Sequence, residues 1–112
     1  MSEDFYCDEV LSGHTAVNKV HETENVLAYH HTRPFWETHI VVIPKRHVAS
    51  LLAMTGEDDA LLAEMFEVIR LVANGIIEGQ GAARVLTNLG KYQDSKHLHF
   101  HVSAGDETKS YR

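Results

Sequence analysis

The segment from Asp58 to Gly79 constrains the fold more than any other feature of this sequence, because it has the pattern of one long amphipathic helix. Apolar residues recur there every three or four positions, and charged or amide side chains fill the opposite side. The apolar positions are Leu61, Leu62, Met65, Phe66, Ile69, Val72, Ala73, Ile76 and Ile77. Thr55 and Asp58 form a weak capping pattern before it. A chain of 112 residues is long enough for one domain. The apolar side of this helix must be buried within that domain, and a β-sheet is the expected partner.

Five shorter segments have the pattern of strands, being rich in β-branched residues or alternating in polarity. The clearest is the apolar run that Pro44 ends. The predicted strands are 15–23, 26–30, 38–44, 83–87 and 97–102, and a short helical turn is predicted over 4–12. This order predicts an α+β fold, with a five-stranded antiparallel sheet, one long helix and a short N-terminal helix. We expect a single domain, 1–112, with a loose polar tail from about residue 105.

Charge and composition exclude several classes of partner. The chain has 16 acidic and 10 basic residues and a formal net charge of -6, and its basic pair Lys45-Arg46 is too short to follow a phosphate backbone. No run approaches the roughly 18 apolar residues that a membrane span requires, and the acidic N-terminus is unlike a signal peptide. The single cysteine, Cys7, fits a reducing compartment. We therefore expect a cytoplasmic protein without nucleic-acid or membrane partners.

Histidine is the unusual part of the composition: there are nine, and three alternate in the segment His97-Leu98-His99-Phe100-His101. Alternate residues of a strand share a face, so these imidazoles point one way while Leu98, Phe100 and Val102 point toward the helix. Such a row suits acid–base, nucleophilic or metal chemistry near neutral pH. A random chain of this composition contains the pattern about one time in twenty, so chance is an alternative. A metal site and an exposed row without function are two others.

Neutral hydrogen-bonding side chains around the histidine row favour a phosphate site. Asn88 ends the preceding predicted strand, and His39 begins the buried one. Gln93 and Ser95 lie in the loop that enters the row. Together with the histidines they suit one phosphate, without the lysine or glycine-rich loop that a nucleoside triphosphate requires.

The order and spacing of these pieces resemble the histidine-triad family. The resemblance rests on segment 38–47, the long helix, Asn88 and the row 97–102, and it covers about residues 5–104. It implies an enzyme that cleaves a nucleoside monophosphate from an amine, phosphate or similar leaving group, phosphoramidates included, through a covalent histidine intermediate. It also implies a small nucleotide or phosphate substrate, and a homodimer whose sheet continues across the two-fold axis.

The resemblance further implies roles for individual residues. His99, the middle histidine, is the implied nucleophile, and His101 is implied to donate to the phosphate and to the leaving group. His97 is implied to support the geometry. Substrate-binding positions are implied for His39, Asn88, Gln93 and Ser95. We expect the flanking histidines to disfavour a charge on His99, and a main-chain carbonyl to hold its second ring nitrogen.

The sequence departs from the family pattern on its second strand, where an aspartate that grips the ribose hydroxyls is usual. The equivalent position is His31, which follows His30. An imidazole hydrogen-bonds a hydroxyl but is not the bidentate acceptor that a carboxylate is. Nucleotidyl transfer, a phosphate substrate without a nucleoside, and a nucleotide-binding module with little turnover therefore stay open as alternatives.

Some members of the family carry a structural zinc on two cysteines and two histidines. The matching positions in this sequence are Asp4, Cys7, His47 and His97. One thiolate makes a weak set of ligands for structural zinc, so we expect no cofactor.

Overall fold

The computed structural model describes residues 6–108, which form a five-stranded antiparallel sheet with a long helix on one face. The elements in chain order are a helical turn Tyr6–Leu11, β1 Lys19–Glu22, β2 Val26–His30, β3 Trp36–Pro44, α1 Asp59–Gln80, β4 Arg84–Leu86 and β5 Phe100–Glu107, with short 3-10 turns at Leu51–Ala53, Gly56–Asp58 and Gly90–Tyr92. The strand order is β1-β2-β3-β5-β4. The predicted α+β class is confirmed. Within residues 6–108, no helix is both long and apolar enough to cross a membrane.

Side-chain caps fix the 3-10 turn Gly56–Asp58 that leads into α1, and a glycine places the end of the helix. The Asp58 carboxylate accepts the Thr55 backbone N–H at 2.8 Å, and the Thr55 hydroxyl accepts the N–H two residues further on at 3.3 Å. Arg46 forms an ion pair with the same carboxylate. At the other end, Gly81 has a φ of 81°, which glycine adopts without strain. The capping pattern is therefore present, and the helix ends one residue later than predicted.

The apolar stripe of α1 covers one face of the sheet. Met65, Val68 and Val72 are buried against Phe100 and Val102 of β5. The other buried members of this core are Val26, Ala28, Ile40, Val42, Val48, Ile69, Ile76, Leu98 and Ala104. Burial of large apolar side chains is the main favourable contribution to folding. The predicted place of the apolar residues of β5, under the helix, is confirmed.

The predicted strand 97–102 is corrected at both ends. Its first three residues precede β5, because the Leu98 backbone N–H donates to the Val48 carbonyl at 2.6 Å instead of joining the ladder with β3. The strand then runs on to Glu107, which pairs with Trp36 at the start of β3. The first residues of the tail that was expected to be loose therefore belong to the sheet.

The N-terminal helical turn lies on the second face of the sheet. Tyr6 is buried there against Tyr29 and Val41. The predicted N-terminal helix is present over a shorter span, and its predicted first residues lie outside the described range. His99 and His101 also belong to this face, because they alternate with the residues packed under α1.

Candidate active site

The hydrogen of the His99 ring lies on a defined nitrogen. Its Nδ1 is 2.7 Å from the His97 carbonyl oxygen, which only accepts hydrogen bonds. Nδ1 therefore carries the hydrogen, and Nε2 keeps its lone pair. The Thr87 hydroxyl donates to the His99 carbonyl at 2.7 Å and ties this residue to the segment after β4. The side chain expected to be the nucleophile is thus held in the tautomer that attack requires.

The ring of His101 has the opposite tautomer to that of His99, and its hydrogen bond with His39 sets it. The Phe35 backbone N–H donates to His39 Nδ1 at 3.1 Å, so the hydrogen of that ring is on Nε2. His39 Nε2 lies 2.8 Å from His101 Nδ1 and donates to it. The hydrogen of His101 is therefore on Nε2. One backbone amide sets the protonation of two rings, and the site presents a lone pair on His99 beside an N–H donor on His101.

Burial keeps these three rings uncharged at neutral pH. Burial, followed by the charges of neighbouring imidazoles, lowers the pKa of His39 and of His101 to about 3. Burial also lowers the pKa of His99, against the opposing effect of its hydrogen bond to the His97 carbonyl. Of the two flanking histidines that were expected to lower this pKa, His97 contributes to the lowering, whereas His101 is not among its causes. The lone pair of His99 is therefore available at neutral pH without a base to remove a proton.

Aromatic contacts position the rings of His99 and His101. The ring centroids of His99 and His101 are 5.0 Å apart, with planes inclined by 82°. The Tyr6 ring lies 4.8 Å from that of His99 and 5.8 Å from that of His97. Burial raises the pKa of Tyr6, so its hydroxyl keeps its proton. Sequence reasoning missed Tyr6, whose signal was its place on the apolar side of the N-terminal turn, and Thr87, whose bond to a carbonyl has no local signal.

His31 continues the row of rings beyond His39. The two rings stack, with centroids 4.3 Å apart and planes inclined by 20°, and the His31 centroid is 5.9 Å from that of His101. The Arg33 backbone N–H donates to His31 Nδ1 at 3.0 Å, so the hydrogen of this ring is on Nε2. A cavity of about 460 Å³ opens here, lined by Thr15, Ala16, Val17, Asn18, His30, His31 and Thr32. Another cavity, of about 290 Å³ at the start of α1, is lined by no histidine.

The predicted substrate-binding residues that are not histidines lie in the segment between β4 and the histidine row. Gln93 is buried, and its Nε2 donates to the Ala49 carbonyl at 2.7 Å, which braces the loop before the histidine row. Ser95 of the same loop is also buried. Asn88 is half-buried and directly follows Thr87. The structure therefore brings the histidines together, whereas the Gln93 amide nitrogen is engaged with the main chain.

A second cluster lies on the far side of His97. His97 Nε2 donates to the Pro44 carbonyl at 2.8 Å, which leaves the Nδ1 lone pair 3.2 Å from the Cys7 sulfur. His47 Nδ1 lies 3.9 Å from the same sulfur. The three possible ligand atoms are all within 4.8 Å of one another, so one thiol and two imidazoles suit three of the four ligands of zinc. The fourth predicted ligand, Asp4, lies outside the described residues.

The chain is similar to known histidine-triad (HIT) proteins in sequence and in fold. Residues 5–111 match a family model described as "Scavenger mRNA decapping enzyme C-term binding". An uncharacterised 13.2 kDa HIT-like protein of Azospirillum brasilense is 36% identical over 99 residues, which cover 86% of this chain and 81% of that protein. The structure of a histidine triad protein from Clostridium difficile is 30% identical, with a TM-score of 0.79 over 100% of this chain and 98% of that one. A HIT family hydrolase from Legionella pneumophila Philadelphia 1 is 25% identical, with a TM-score of 0.81 over 96% and 97% of the two chains.

Proposed function

Because the chain belongs to the histidine-triad family, we propose that it hydrolyses nucleoside phosphoramidates, or related nucleoside monophosphate esters and anhydrides. The reaction passes through a nucleotide bound covalently to His99. The observation that carries the proposal is the pair of opposite tautomers, a lone pair on His99 Nε2 beside an N–H on His101 Nε2. Displacement at phosphorus needs both an unprotonated nucleophile and a proton donor for the departing group.

In the first step, His99 Nε2 attacks phosphorus, a P–N bond forms, and the bond to the leaving group breaks. The departing amine takes the proton of His101 Nε2, solvent water returns a proton to that nitrogen, and His39 keeps its Nε2 proton in the 2.8 Å hydrogen bond to His101 Nδ1. The phosphorylated His99 is a cation, because Nδ1 keeps its hydrogen on the His97 carbonyl. Its ring centroid is 5.0 Å from that of His101, and this positive charge favours loss of a proton from the neighbouring ring.

In the second step, water attacks phosphorus and the P–Nε2 bond breaks. One water proton leaves to solvent through His101 Nε2, while His39 keeps its Nε2 proton and its Nδ1 continues to accept from the Phe35 backbone N–H. His101 thus serves first as the acid and then as the base. Dividing one displacement into two lets a single donor do both.

Turnover of an adenosine phosphoramidate with a fluorescent amine tests the proposal. We expect wild type to release the amine and His99→Ala to lose at least about 10⁴-fold in kcat, since removal of a nucleophile has effects of this order. His21→Ala, which removes a histidine of β1 outside the site, should keep wild-type turnover. A quench in alkaline denaturant followed by intact-mass measurement should show the nucleotidyl adduct on wild type alone. Amine release by His99→Ala at the wild-type rate would contradict the proposal.

A second candidate is hydrolysis or nucleotidyl transfer on a phosphate that carries no nucleoside. The presence of His31 where the family usually has an aspartate favours it, since an imidazole is not the bidentate acceptor for a sugar diol that a carboxylate is. Turnover of a simple phosphoramidate without turnover of the adenosine compound would select this candidate. Nucleotide binding by a wild-type protein with no turnover of either would indicate a binding module instead.

We propose that these steps need no resident metal or cofactor, because the nucleophile and the proton donor are both imidazoles. A zinc ion on Cys7, His47 and His97 would hold the N-terminal turn to the segment before β5, which is a structural role. Metal analysis after purification in metal-free buffer tests this expectation. We expect substoichiometric zinc, and one zinc per chain would contradict it.

We also propose that the chain acts in the cytoplasm as a homodimer on small phosphate substrates. β4 is an edge strand, and Val85 on it is 46% exposed. Leu71 and Ile77 of α1 are 58% and 48% exposed. Apolar side chains beside an open sheet edge suit contact with a second copy. Light scattering should give the mass of two chains, and Leu71→Asp with Ile77→Asp should lower it toward one.

A further inference from the structure

A cation lies over an aromatic ring at one end of the histidine face, and the proposed reaction uses neither residue. The guanidinium carbon of Arg84, on β4, is 5.6 Å from the centroid of the Trp36 ring, at the start of β3. The pair reaches across β5, which lies between these two strands in the sheet. A guanidinium within about 6 Å of an indole is attracted to the ring, so the contact orients both side chains.

Hydrogen bonds to β5 hold the Arg84 side chain in this place. Its guanidinium donates to the Gly105 carbonyl at 2.7 Å and to the Ser103 hydroxyl at 3.3 Å. Ser103 is fully buried, and it pairs with Arg84 on one side and with His39 on the other. No ion pair found within residues 6–108 involves Arg84. The polar contacts of its guanidinium within this range are thus one hydroxyl and one carbonyl.

Trp36 links this arrangement to His39. The two ring centroids are 4.9 Å apart, with planes inclined by 70°. His31 stacks on the same imidazole at 4.3 Å, so two aromatic neighbours limit the rotation of the His39 ring. Trp36 also directly follows Phe35, whose backbone N–H donates to His39 Nδ1 at 3.1 Å. A displaced indole would therefore disturb both the His39 ring and the amide that sets its tautomer.

We propose that Arg84 is a positioning residue of the reaction, which acts through Trp36 to keep the His39 Nε2 hydrogen directed at His101. The inference rests on the proposed function, in which His101 donates a proton to the leaving group. A hydrogen bond between two rings weakens steeply when its angle is bent. A misplaced proton donor slows the chemical step and leaves the binding of substrate nearly unchanged. In this assignment Arg84 makes no contact with the substrate.

Steady-state turnover of the adenosine phosphoramidate tests the assignment. Arg84→Met keeps an apolar stem and removes the charge and both hydrogen bonds. It should lower kcat about tenfold, with KM within about threefold of wild type. Arg84→Lys keeps the charge without the planar fork and should recover part of the lost kcat. Arg70→Met, the matched change at an exposed position of α1, should keep the wild-type constants.

Two kinetic results would overturn the assignment. A wild-type kcat in Arg84→Met would show that the guanidinium has no part in the reaction. A rise of KM with unchanged kcat would show that Arg84 binds the substrate and does not position His39.

A double-mutant cycle determines whether the effect passes through His39. Arg84→Met should lower kcat by less than about twofold in the His39→Ala background, because the ring that it positions is absent. An equal fractional loss in both backgrounds would overturn the route through His39, since the two substitutions would then act independently.

Two measurements that need no turnover separate this inference from the proposed function. Trp36 is the single tryptophan of the chain, so tryptophan fluorescence reports on this contact. Acrylamide should quench it more strongly in Arg84→Met than in wild type or Arg70→Met. Nitrogen NMR of the histidine rings should show one tautomer of His39 in wild type and a mixture of two in Arg84→Met.

The combined results distinguish failure of the inference from failure of the proposed function. A wild-type chain that shows both spectroscopic differences without turnover refutes the enzymatic proposal and leaves the link from Arg84 to His39 standing. Turnover with the same His39 tautomer in wild type and Arg84→Met refutes the link alone. If circular dichroism shows that Arg84→Met is unfolded, kinetics and NMR are measured on Trp36→Leu, with the same loss of kcat and the same mixture of tautomers expected.

Discussion

The two faces of β3 and β5 come from alternate residues of the same strands. One is held by apolar packing, whereas the other adds a hydrogen-bonded row of histidines to the apolar cluster around Tyr6, Tyr29 and Val41. Under α1, Val42, Phe100 and Val102 are apolar groups packed in a continuous core. On the other face, His39 and His101 are joined by hydrogen bonds whose directions are set by a backbone amide. Apolar packing tolerates volume-conserving exchange, whereas a buried polar row holds only if each donor meets an acceptor.

The comparison teaches that stability and chemistry are separated within a single strand. Substitutions of neighbouring residues of β5 should therefore change different properties of the protein. Residues of the helix-facing core should affect the free energy of unfolding with little effect on kcat. Residues of the histidine face should affect kcat and the pH dependence of stability, with a smaller effect on the free energy of unfolding at neutral pH.

The largest expected loss of stability comes from Phe100→Ala. Phe100 is 5% exposed, and its ring meets that of Phe66 at 5.6 Å under α1. Truncation of a buried phenylalanine costs about 3–5 kcal/mol, because apolar contact is lost and a cavity remains. Urea unfolding should show this loss, while kcat at a temperature where the variant is folded stays within about threefold of wild type. A hundredfold loss of kcat in the folded variant would contradict the claim that the helix-facing side affects stability and not catalysis.

The next effect is on catalysis, from His39→Ala. Without His39, the Phe35 amide no longer sets the tautomer of His101, and His101 Nδ1 loses its donor. Loss of a positioned proton donor costs about 10²-fold in kcat. His39→Gln is the matched variant, since its amide can still donate toward His101, and it should recover part of that loss. Equal kcat in both variants would show that His39 fills space and does not orient its neighbour.

The sequence predicted the helix-facing half of this comparison better than the histidine half. Alternation alone placed Leu98, Phe100 and Val102 under the helix, because side chains of a strand alternate whatever the rest of the fold does. It also placed His99 and His101 on the opposite face. The bounds of β5 were not predicted, because the Leu98 N–H bonds to a distant carbonyl.

The protonation of the site could not be predicted from the sequence in the same way. His99 Nδ1 was expected to meet a main-chain carbonyl, and it does, at His97. The tautomers of His39 and His31 depend on the backbone amides of Phe35 and Arg33. Every residue except proline carries such an amide, so no residue type marks the one that will point at a ring. These bonds follow from the turn between β2 and β3, whose course only the folded chain shows.

Between about pH 6 and pH 4, the pH dependence of stability should come mainly from the histidine face. Burial lowers the folded-state pKa of His39 and His101 to about 3, whereas a histidine in the unfolded chain titrates near 6.5. Between those values the unfolded state binds more protons, so stability is complete above about pH 6.5 and falls as the pH falls. Urea unfolding should show a loss of up to about 1.4 kcal/mol per pH unit for each of the two rings between about pH 6 and pH 4. His39→Gln should flatten this slope, and an unchanged slope would place the responsible groups elsewhere.

The smallest expected effects come from two threonine hydrogen bonds. One is expected to position His99, and the other is expected only to stabilise the fold. Thr87 donates to the His99 carbonyl at 2.7 Å in a half-buried setting. Thr108 makes the same kind of bond to the Pro34 carbonyl at 3.1 Å, but at an exposed end of the sheet. Thr87→Val should cost about 1 kcal/mol of unfolding free energy. Thr108→Val should cost less than about 0.5 kcal/mol.

Catalysis should distinguish the two threonine variants more clearly than stability does. A shift of the His99 main chain moves the nucleophile, so Thr87→Val should lower kcat by about threefold to tenfold with little change in KM. Thr108→Val should leave both constants unchanged. If Thr87→Val loses stability but keeps full kcat, the position of His99 is set by the His97 carbonyl and the Tyr6 ring alone. The Thr87 hydrogen bond would then contribute to stability, as the apolar core does, and not to catalysis.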